Sequence, residues 1–252
     1  MMIDQTLVQL RQLKLSGMAM ALQTQVEQPG TYEGLAFIER LHLLIDSERQ
    51  ERDQRKQQRL IRSAKFKLNA NIQDIDYQHP RGLQASVVAS LAQCDWLNKG
   101  QNLLLTGPCG SGKTYIACAL GYTACFKGYS SRYYRISRLM LALSQAKADG
   151  TYSKALKAIA KLNLLILDDW GLEPLTTAQR NDLMEIMDDR HGTTSTVIIS
   201  QLPTEQWYEM IGDNTLADAI LDRIMHNAHR IKLRGESMRK KLNILTHGEH
   251  LS

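Results

Sequence analysis

A glycine-rich segment that ends in a lysine and a threonine is the part of this 252-residue sequence whose residue types most clearly imply chemistry. It fits the pattern G-x-x-x-x-G-K-[ST] and reads Gly107-Pro108-Cys109-Gly110-Ser111-Gly112-Lys113-Thr114. Glycines let the backbone curl with its N–H groups pointing inward, and they leave room for a phosphate group. A plain glycine turn is the alternative interpretation. We favour a nucleoside-triphosphate site, in which Lys113 binds the β- and γ-phosphates and the Thr114 hydroxyl ligates Mg²⁺.

A pair of adjacent acids forms the second candidate site. The run from Leu164 to Leu167 is apolar without alternation, as expected for a strand buried on both faces, and Asp168 and Asp169 follow it directly. In phosphoryl-transfer sites one acid at such a place holds Mg²⁺, and a neighbouring group orients the attacking water. We therefore expect Asp168 to hold Mg²⁺ and Asp169 to polarise water. Two acids at the start of an ordinary loop are the alternative.

Strands and helices alternate after the first third of the chain, which predicts an α/β fold whose parallel sheet has helices on both faces. The glycine-rich segment lies between a strand and a helix at 113–126, the place that its motif requires. Thr176 and Gln179 have the form of a capping box, and Ser137 that of a helix N-cap. Residues 69–80 read as a linker. The expected strands lie near 102–106, 131–136, 164–167, 195–200 and 229–233.

The first third, about residues 5–68, reads as helix that is broken once near residues 28–31. Between residues 48 and 67, eight basic residues stand against three acids. Many of them recur every three or four residues on one helix face, which suits a surface that binds DNA phosphates. A solvated helix with i,i+4 ion pairs, such as Glu48–Arg52 and Glu51–Arg55, is the alternative, and charge alone slightly favours it. The candidate DNA contacts are Arg49, Arg52, Arg55, Lys56, Arg59 and Arg62.

The composition excludes several classes of protein. Hydrophobic residues make up 43% of the chain and the net charge is only +5, which does not fit a disordered chain. The sequence has neither a run of about 18 apolar residues nor a signal peptide, so we expect a cytoplasmic protein without membrane contacts. The four cysteines form no CxxC pair and are expected to be reduced thiols. His226 and His229 are three residues apart, but no neighbouring pattern completes a metal site.

With both candidate sites placed, the chain resembles the AAA+ ATPases, and within them the IstB-type transposition helper proteins of insertion sequences, which are related to the DnaC-type helicase loaders. The resemblance covers nearly the whole chain. It implies a P-loop AAA+ core at residues 69–252 and a small all-helical domain at residues 1–68 for contacts with DNA, partners or other subunits. The matching segments are residues 10–18, residues 101–114, Asp168-Asp169-Trp170-Gly171, Ser200-Gln201-Leu202-Pro203 and Arg234-Gly235-Glu236-Ser237-Met238-Arg239.

The resemblance also implies roles for residues around the nucleotide. The nucleotide-binding segment extends to Tyr115. Ser200 or Gln201 resembles the sensor-1 position, whose polar side chain hydrogen-bonds the γ-phosphate or its water. Arg239 is a candidate for sensor 2, although the chain ends too soon after it for the helical lid domain of larger AAA+ proteins, which we expect to be missing.

Arg223 resembles the arginine finger of these proteins, which reaches the ATP of a neighbouring subunit and stabilises charge on the transferring phosphoryl group. An ordinary ion pair with Asp218 or Asp222 on the same helix is the alternative. Asp169 stands where most AAA+ proteins have Glu. Because Asp is one methylene shorter, we expect a slow, switch-like ATPase with a turnover below about 10 s⁻¹.

The implied function is an ATPase that uses ATP and Mg²⁺, assembles on duplex DNA as a ring or spiral, and assists a transposase without reading DNA sequence. A DnaC-like helicase loader is the alternative within the same branch. A small-molecule kinase would need a cationic lid, and no arginine-rich insert is evident at 115–165. A DNA-bending protein with an inactive nucleotide site is disfavoured because Lys113, Thr114 and Asp168 are all intact.

Overall fold

The computed structural model describes residues 2–235 and 237–238. They form two compact units, which divide between Arg59 and Leu60. The first unit is helical, and the second is built on a five-stranded sheet. None of the helices that the structure describes is long and apolar enough to cross a membrane.

The N-terminal helices break three times rather than once. Lys14 adopts a left-handed φ of 60°, and the N–H groups of Lys14 and Leu15 donate to the carbonyls of Arg11 and Leu10 at 3.0 and 2.8 Å. This pattern closes a helix C-terminus, where glycine is the usual residue. With lysine there, the sequence gives no signal of the break. The helices are α1 (Met2–Gln12), α2 (Ser16–Glu27), α3 (Pro29–Tyr32) and α4 (Phe37–Ala64).

The start of α2 is capped by a residue of α4. The N–H groups of Gly17 and Met18 donate to Oε2 of Glu48 at 2.8 and 3.3 Å, and Arg52 donates to Oε1 at 2.7 Å. Gly17 permits this approach, because a Cβ there would lie 2.6 Å from the Cα of Glu48. Burial raises the pKa of Glu48, but the hydrogen bonds from Arg52 and the two N–H groups outweigh it and lower the pKa overall.

The second unit contains one parallel sheet with the strand order β2-β3-β4-β1-β5. Because β4 lies between β1 and β3, the carboxyl ends of these three strands meet at one edge. Ligands bind at such an edge in open parallel sheets. The strands are β1 (Asn102–Thr106), β2 (Ser131–Arg135), β3 (Leu164–Trp170), β4 (Ser195–Ser200) and β5 (Ala228–Lys232).

Helices cover both faces of the sheet, as predicted. Leu103 and Leu105 of β1 point into one core with Val88 and Ile116, whereas Leu104 points into the other. Strands covered on both faces read as continuous apolar runs, which explains why β1, β3 and β4 could be found in the sequence. The helices are α5 (Ala85–Ala92), α6 (Asp95–Asn98), α7 (Lys113–Phe126), α8 (Ile136–Ala148), α9 (Tyr152–Ala160), α10 (Thr177–Arg190), α11 (Trp207–Ile211) and α12 (Asn214–Met225).

Three local predictions concern the starts of α8 and α10 and the segment before α5. The capping box of Thr176 and Gln179 is confirmed at the start of α10. The N-cap at Ser137 is wrong, because α8 begins at Ile136 and its N-cap residue makes no side-chain cap. The polar segment 69–80 is more than a linker, since it contains a 3₁₀ turn and buries Ala70 among the residues of the core. The predicted absence of a lid domain concerns residues beyond the described part of the chain.

Candidate functional site

The glycine-rich loop connects the carboxyl end of β1 to the first turn of α7. Gly107, Gly110 and Gly112 have φ values of 143°, 78° and 92°, which residues with a Cβ rarely adopt. A Cβ on Gly107 would collide with the carbonyl of Leu233, and one on Gly110 with the side chain of Ser237. The backbone therefore takes a path that only glycine permits, and it curls in front of the N-terminus of α7, where an anion is stabilised.

A buried arginine supports this loop. Arg81 is 3% exposed, and its guanidinium donates to the carbonyls of Ser111 and Asp76, each at 2.9 Å. A Cβ on Gly112 would collide with the same guanidinium. Gly112 is thus needed both for the turn and for the arginine that holds it.

The ammonium of Lys113 lies over the loop. Its Nζ donates to the carbonyls of Gly107 and Pro108 at 2.6 and 2.7 Å. Burial lowers the pKa of Lys113, and the nearby Cys109 and Asp168 oppose this shift. A cation held among the loop carbonyls is in position to bind phosphate oxygens that enter the cradle.

Asp168 collects hydrogen bonds from two other elements. Its Oδ2 accepts from Oγ1 of Thr114 at 2.9 Å and from the hydroxyl of Tyr133 at 2.6 Å, and Nζ of Lys67 lies 3.6 Å away. Burial and the bond to Asp168 raise the pKa of Tyr133, so its hydroxyl stays a donor. Mg²⁺ prefers carboxylate and hydroxyl oxygens and keeps several of its waters. The oxygens of Thr114 and Asp168 fit such an ion.

A bulge in β3 separates the two acids. Between Leu167 and Trp170, β3 has one more residue than the facing part of β4. Asp169 takes a left-handed φ of 64°, and its carboxylate pairs with Arg135 of β2 at 3.3 Å. Bulges re-aim side chains near functional sites. Here the bulge turns Asp168 toward Thr114, and Asp169 toward the end of β2.

The end of β4 carries the two polar residues predicted there, and their surroundings differ. Ser200 is 1% exposed, donates to the carbonyl of Trp170 at 2.7 Å and accepts from the N–H of Leu202 at 3.0 Å. Gln201 is exposed. The Ser200 hydroxyl is therefore used in hydrogen bonds within the fold, whereas the Gln201 side chain is accessible to solvent.

One cavity of about 290 Å³ joins these elements. It lies at the carboxyl edge of the sheet, where β1, β3 and β4 end. The N–H of Met238 donates to the carbonyl of Gly110 at 2.9 Å, so the segment after β5 also borders it. The predicted residues that line the cavity are Cys109, Gly110, Gly112, Lys113, Thr114, Tyr115, Asp168, Asp169, Ser200 and Gln201.

Arg223 lies away from this cavity. The side chain of Asn102, at the amino end of β1, donates to the carbonyl of Arg223 at 3.1 Å. The Arg223 guanidinium pairs with Asp188 of α10 at 2.7 Å rather than with Asp218 or Asp222. The candidate sensor-2 residue, Arg239, lies outside the described residues.

Comparison with known proteins decides the family. The family model described as "IstB-like ATP binding protein" matches residues 8–245. This chain belongs to the IstB-like family. An insertion sequence ATP-binding protein of Sinorhizobium fredii, y4pL, is 45% identical over 240 residues, which cover 95% of this chain and 98% of that protein. The IS1162 ATP-binding protein of Pseudomonas fluorescens is 47% identical over 205 residues, 81% and 88% of the two chains.

Solved structures show the AAA+ fold for this IstB-like chain. The DnaC helicase loader superposes with a TM-score of 0.56 at 23% identity, over 68% of this chain and 99% of that one. AMPPCP-bound DnaA from Aquifex aeolicus gives a TM-score of 0.58 at 16% identity, over 74% and 57% of the two chains. The family resemblance and the fold predicted from the sequence are thus confirmed.

The basic residues predicted to contact DNA are all exposed on α4. Three of them form ion pairs with acids of the same helix: Arg49 with Asp46, Arg52 with Glu48 and Arg55 with Glu51. The two pairs named as the alternative are therefore present. Among the described residues, these ion pairs leave Lys56, Arg59 and Arg62 as the cations of the set that face solvent without an acid partner.

Four residues of the site were missed by sequence reasoning. Arg81 and Tyr133 are isolated in sequence, and no motif or spacing marks them. Lys67 was counted only as part of the basic run, and Arg135 only as the end of a strand. Only the tertiary structure identifies these residues, because each takes part in the site through a contact with the loop or with an acid far along the chain.

Proposed function

We propose that this IstB-like chain is an Mg²⁺-dependent ATPase that assembles on duplex DNA and assists the transposase of an insertion sequence. The observation that carries the proposal is the convergence of Lys113, Thr114, Asp168 and Gln201 on one cavity at the carboxyl edge of the sheet. The relatives named as ATP-binding proteins of insertion sequences support the transposition context.

The cavity residues divide the work of phosphoryl transfer. Lys113 binds the β- and γ-phosphate oxygens, and Thr114 and Asp168 hold the metal. Mg²⁺, when bound, neutralises charge on the transferring group. Asp169 polarises the attacking water, and Arg135 fixes the orientation of the Asp169 carboxylate. Gln201 supplies a polar group for the γ-phosphate or that water.

Substitution of Lys113→Ala tests the nucleotide site. It removes the cation of the loop, so we expect ATP affinity to fall about 100-fold or more, as for loss of charge-assisted bonds to phosphate. Nucleotide binding and phosphate release are measured on the full chain, with water as the only acceptor. Lys161→Ala, which removes an exposed lysine at the end of α9, is the charge-matched control. Wild-type hydrolysis by Lys113→Ala would contradict the proposal.

The DNA-binding part of the same proposal is tested at Lys56 and Arg59. If both contact phosphates, replacing them with alanine should reduce the slope of log affinity against log salt by about 1.8, since each contact contributes about 0.9. Anisotropy of two unrelated duplexes between 50 and 200 mM salt gives the slope, and equal binding of both shows sequence independence. Lys99→Ala with Lys161→Ala is the control pair. An unchanged slope places the DNA elsewhere.

A further inference from the structure

A short segment that begins in the last turn of α4 brings a second cation to the nucleotide cavity. We call residues 63–68 the strap. The carbonyl of Ser63 accepts a hydrogen bond from Arg132 at 2.6 Å. The ring of Phe66 occupies a notch on α7 that exists because residue 121 is glycine, since a Cβ there would lie 2.5 Å from the ring. The same ring packs against Tyr122 at a tilt of 36°, with centroids 4.6 Å apart. The strap is thus anchored at Ser63 and at Phe66, the residue directly before Lys67.

That residue is Lys67. Its Nζ lies 3.6 Å from Oδ2 of Asp168, and its side chain is 31% exposed. It lines the same cavity as Lys113 and Thr114. This lysine lies beside the metal-holding carboxylate but comes from a segment outside the two nucleotide motifs. None of the roles of those motifs accounts for it.

The contact with Asp168 leaves Lys67 able to move. Oδ2 of Asp168 already accepts short hydrogen bonds from Thr114 and Tyr133 at 2.9 and 2.6 Å, which use the lone pairs that one oxygen offers. At 3.6 Å the lysine contributes an ion pair longer than a hydrogen bond. Lysine is a point charge on a flexible stem with three rotatable donors. It can therefore leave this carboxylate for a better anion without any movement of the strap.

We propose that Lys67 binds the terminal phosphate of a nucleoside triphosphate, exchanging its ion pair with Asp168 for a γ-phosphate oxygen. The inference rests on the proposed nucleotide site. Thr114 and Asp168 are the residues that would hold Mg²⁺, which in such sites would neutralise charge on the γ-phosphoryl group. A cation beside Asp168 is therefore placed for the terminal end of the triphosphate. Lys67 then distinguishes ATP from ADP, because only ATP has a γ-phosphate. Lys113, by contrast, contacts both the β- and the γ-phosphate.

The experiment compares ATP with ADP. Dissociation constants of Mg²⁺ complexes of fluorescent ATP and ADP are measured on the full chain for wild type and for Lys67→Gln. We expect ATP affinity to fall about tenfold, as for one charge-assisted contact, with ADP affinity changed less than about twofold. Lys65→Gln is the matched control, because it removes the same charge from an exposed position two residues away on the strap. Lys67→Arg, which keeps the charge, should retain most of the preference for ATP.

Each outcome decides the inference. If Lys67→Gln weakens both nucleotides equally, Lys67 acts only on Asp168 or the metal and the inference is wrong; an unchanged ATP affinity overturns it as well. If wild type binds neither nucleotide, the proposed function fails first. Melting temperatures without nucleotide show whether Lys67→Gln folds, and Lys67→Met, which keeps the apolar stem, gives the same comparison if it does not.

Discussion

At the scale of single residues, the end of β4 shows how two neighbouring polar side chains divide between structure and chemistry. The sequence leaves Ser200 and Gln201 as equal candidates to sense the γ-phosphate. In the fold, the Ser200 hydroxyl joins Trp170 of β3 to Leu202 and is 1% exposed. Gln201 lines the cavity from an exposed position. We therefore propose that Gln201, rather than Ser200, senses the γ-phosphate.

The two substitutions should give opposite phenotypes. Gln201→Ala should lower the hydrolysis rate about tenfold or more, since a lost donor near the transferring group costs on the order of 10²-fold in other enzymes, and leave the melting temperature unchanged. Ser200→Ala should cost about 1–3 kcal/mol of stability, because it orphans buried groups. Single-turnover hydrolysis and thermal unfolding separate the two effects. A Ser200→Ala protein that melts normally but fails to hydrolyse ATP would reverse the assignment.

The nucleotide site was predictable in part from the sequence, because its central residues are fixed by local spacing. Lys113 and Thr114 must follow a glycine turn, and Asp168 must end a buried strand. Tyr133 reaches Asp168 only because β2 and β3 are neighbours in the sheet, and that order is a property of the whole fold. Residues whose roles depend on tertiary contact leave no periodic trace in the sequence.

At the scale of elements, too, features fixed by local pattern were predictable and features fixed by tertiary contact were not. Strands β1, β3 and β4 were found because their runs are apolar and buried on both faces. The bulge in β3 that re-aims Asp168 and Asp169 was not found in the sequence. One extra residue at the acidic end of a strand changes no hydrophobic pattern. The break at Lys14 was missed for a similar reason. Its left-handed conformation falls on lysine, and the helix that follows is capped by Glu48, which is distant in sequence.

Glu48 predicts how the helical unit responds to pH. Its pKa is lowered in the fold, so its contribution to stability is full above its unfolded value, near 4.5, and is lost as pH falls through the lower folded value. Glu48→Gln should therefore destabilise the helices at pH 7, and the difference from wild type should narrow below about pH 4.5. Helical circular dichroism during urea unfolding, measured from pH 7 to pH 3, follows this difference.

Glu51→Gln is the control for this experiment. Glu51 also pairs with an arginine of α4, Arg55 at 2.7 Å, but the described contacts give it no helix N-terminus to cap. Exposed i,i+4 pairs contribute only about 0.3–0.5 kcal/mol. A destabilisation by Glu51→Gln as large as that by Glu48→Gln would show that ion pairing, rather than capping of α2, is what Glu48 supplies.

At the scale of the whole molecule, the position of Arg223 restricts how it can take part in hydrolysis. Its backbone contacts Asn102 at the amino end of β1, whereas the phosphate loop begins after Thr106 at the other end. Five residues of strand span about 16 Å. Arg223 therefore cannot serve the cavity of its own chain. If it contacts a nucleotide, that nucleotide belongs to a neighbouring subunit in a head-to-tail assembly.

Mixing two inactive variants tests this arrangement. Arg223→Ala keeps its cavity but lacks the finger, and Asp169→Asn binds ATP and keeps Arg223 but lacks the group that polarises water. Each alone should hydrolyse ATP at least tenfold more slowly than wild type, since an arginine finger contributes about 10³-fold or more. In an equal mixture, on the order of a quarter of the junctions join an intact cavity to an intact finger, because subunits combine at random across a heterologous interface. Hydrolysis should therefore recover to that fraction of wild type.

The control for the mixing experiment is Arg223→Ala mixed with the double variant Arg223→Ala/Asp169→Asn, which should not recover. The competing explanation is that Arg223 only anchors α12 to α10 through Asp188. Arg223→Ala would then hydrolyse ATP normally, and Asp188→Ala would lower the melting temperature by the same amount as Arg223→Ala. Recovery in the first mixture but not in the control requires that Arg223 act across a subunit boundary, because no single chain in that mixture carries both intact groups.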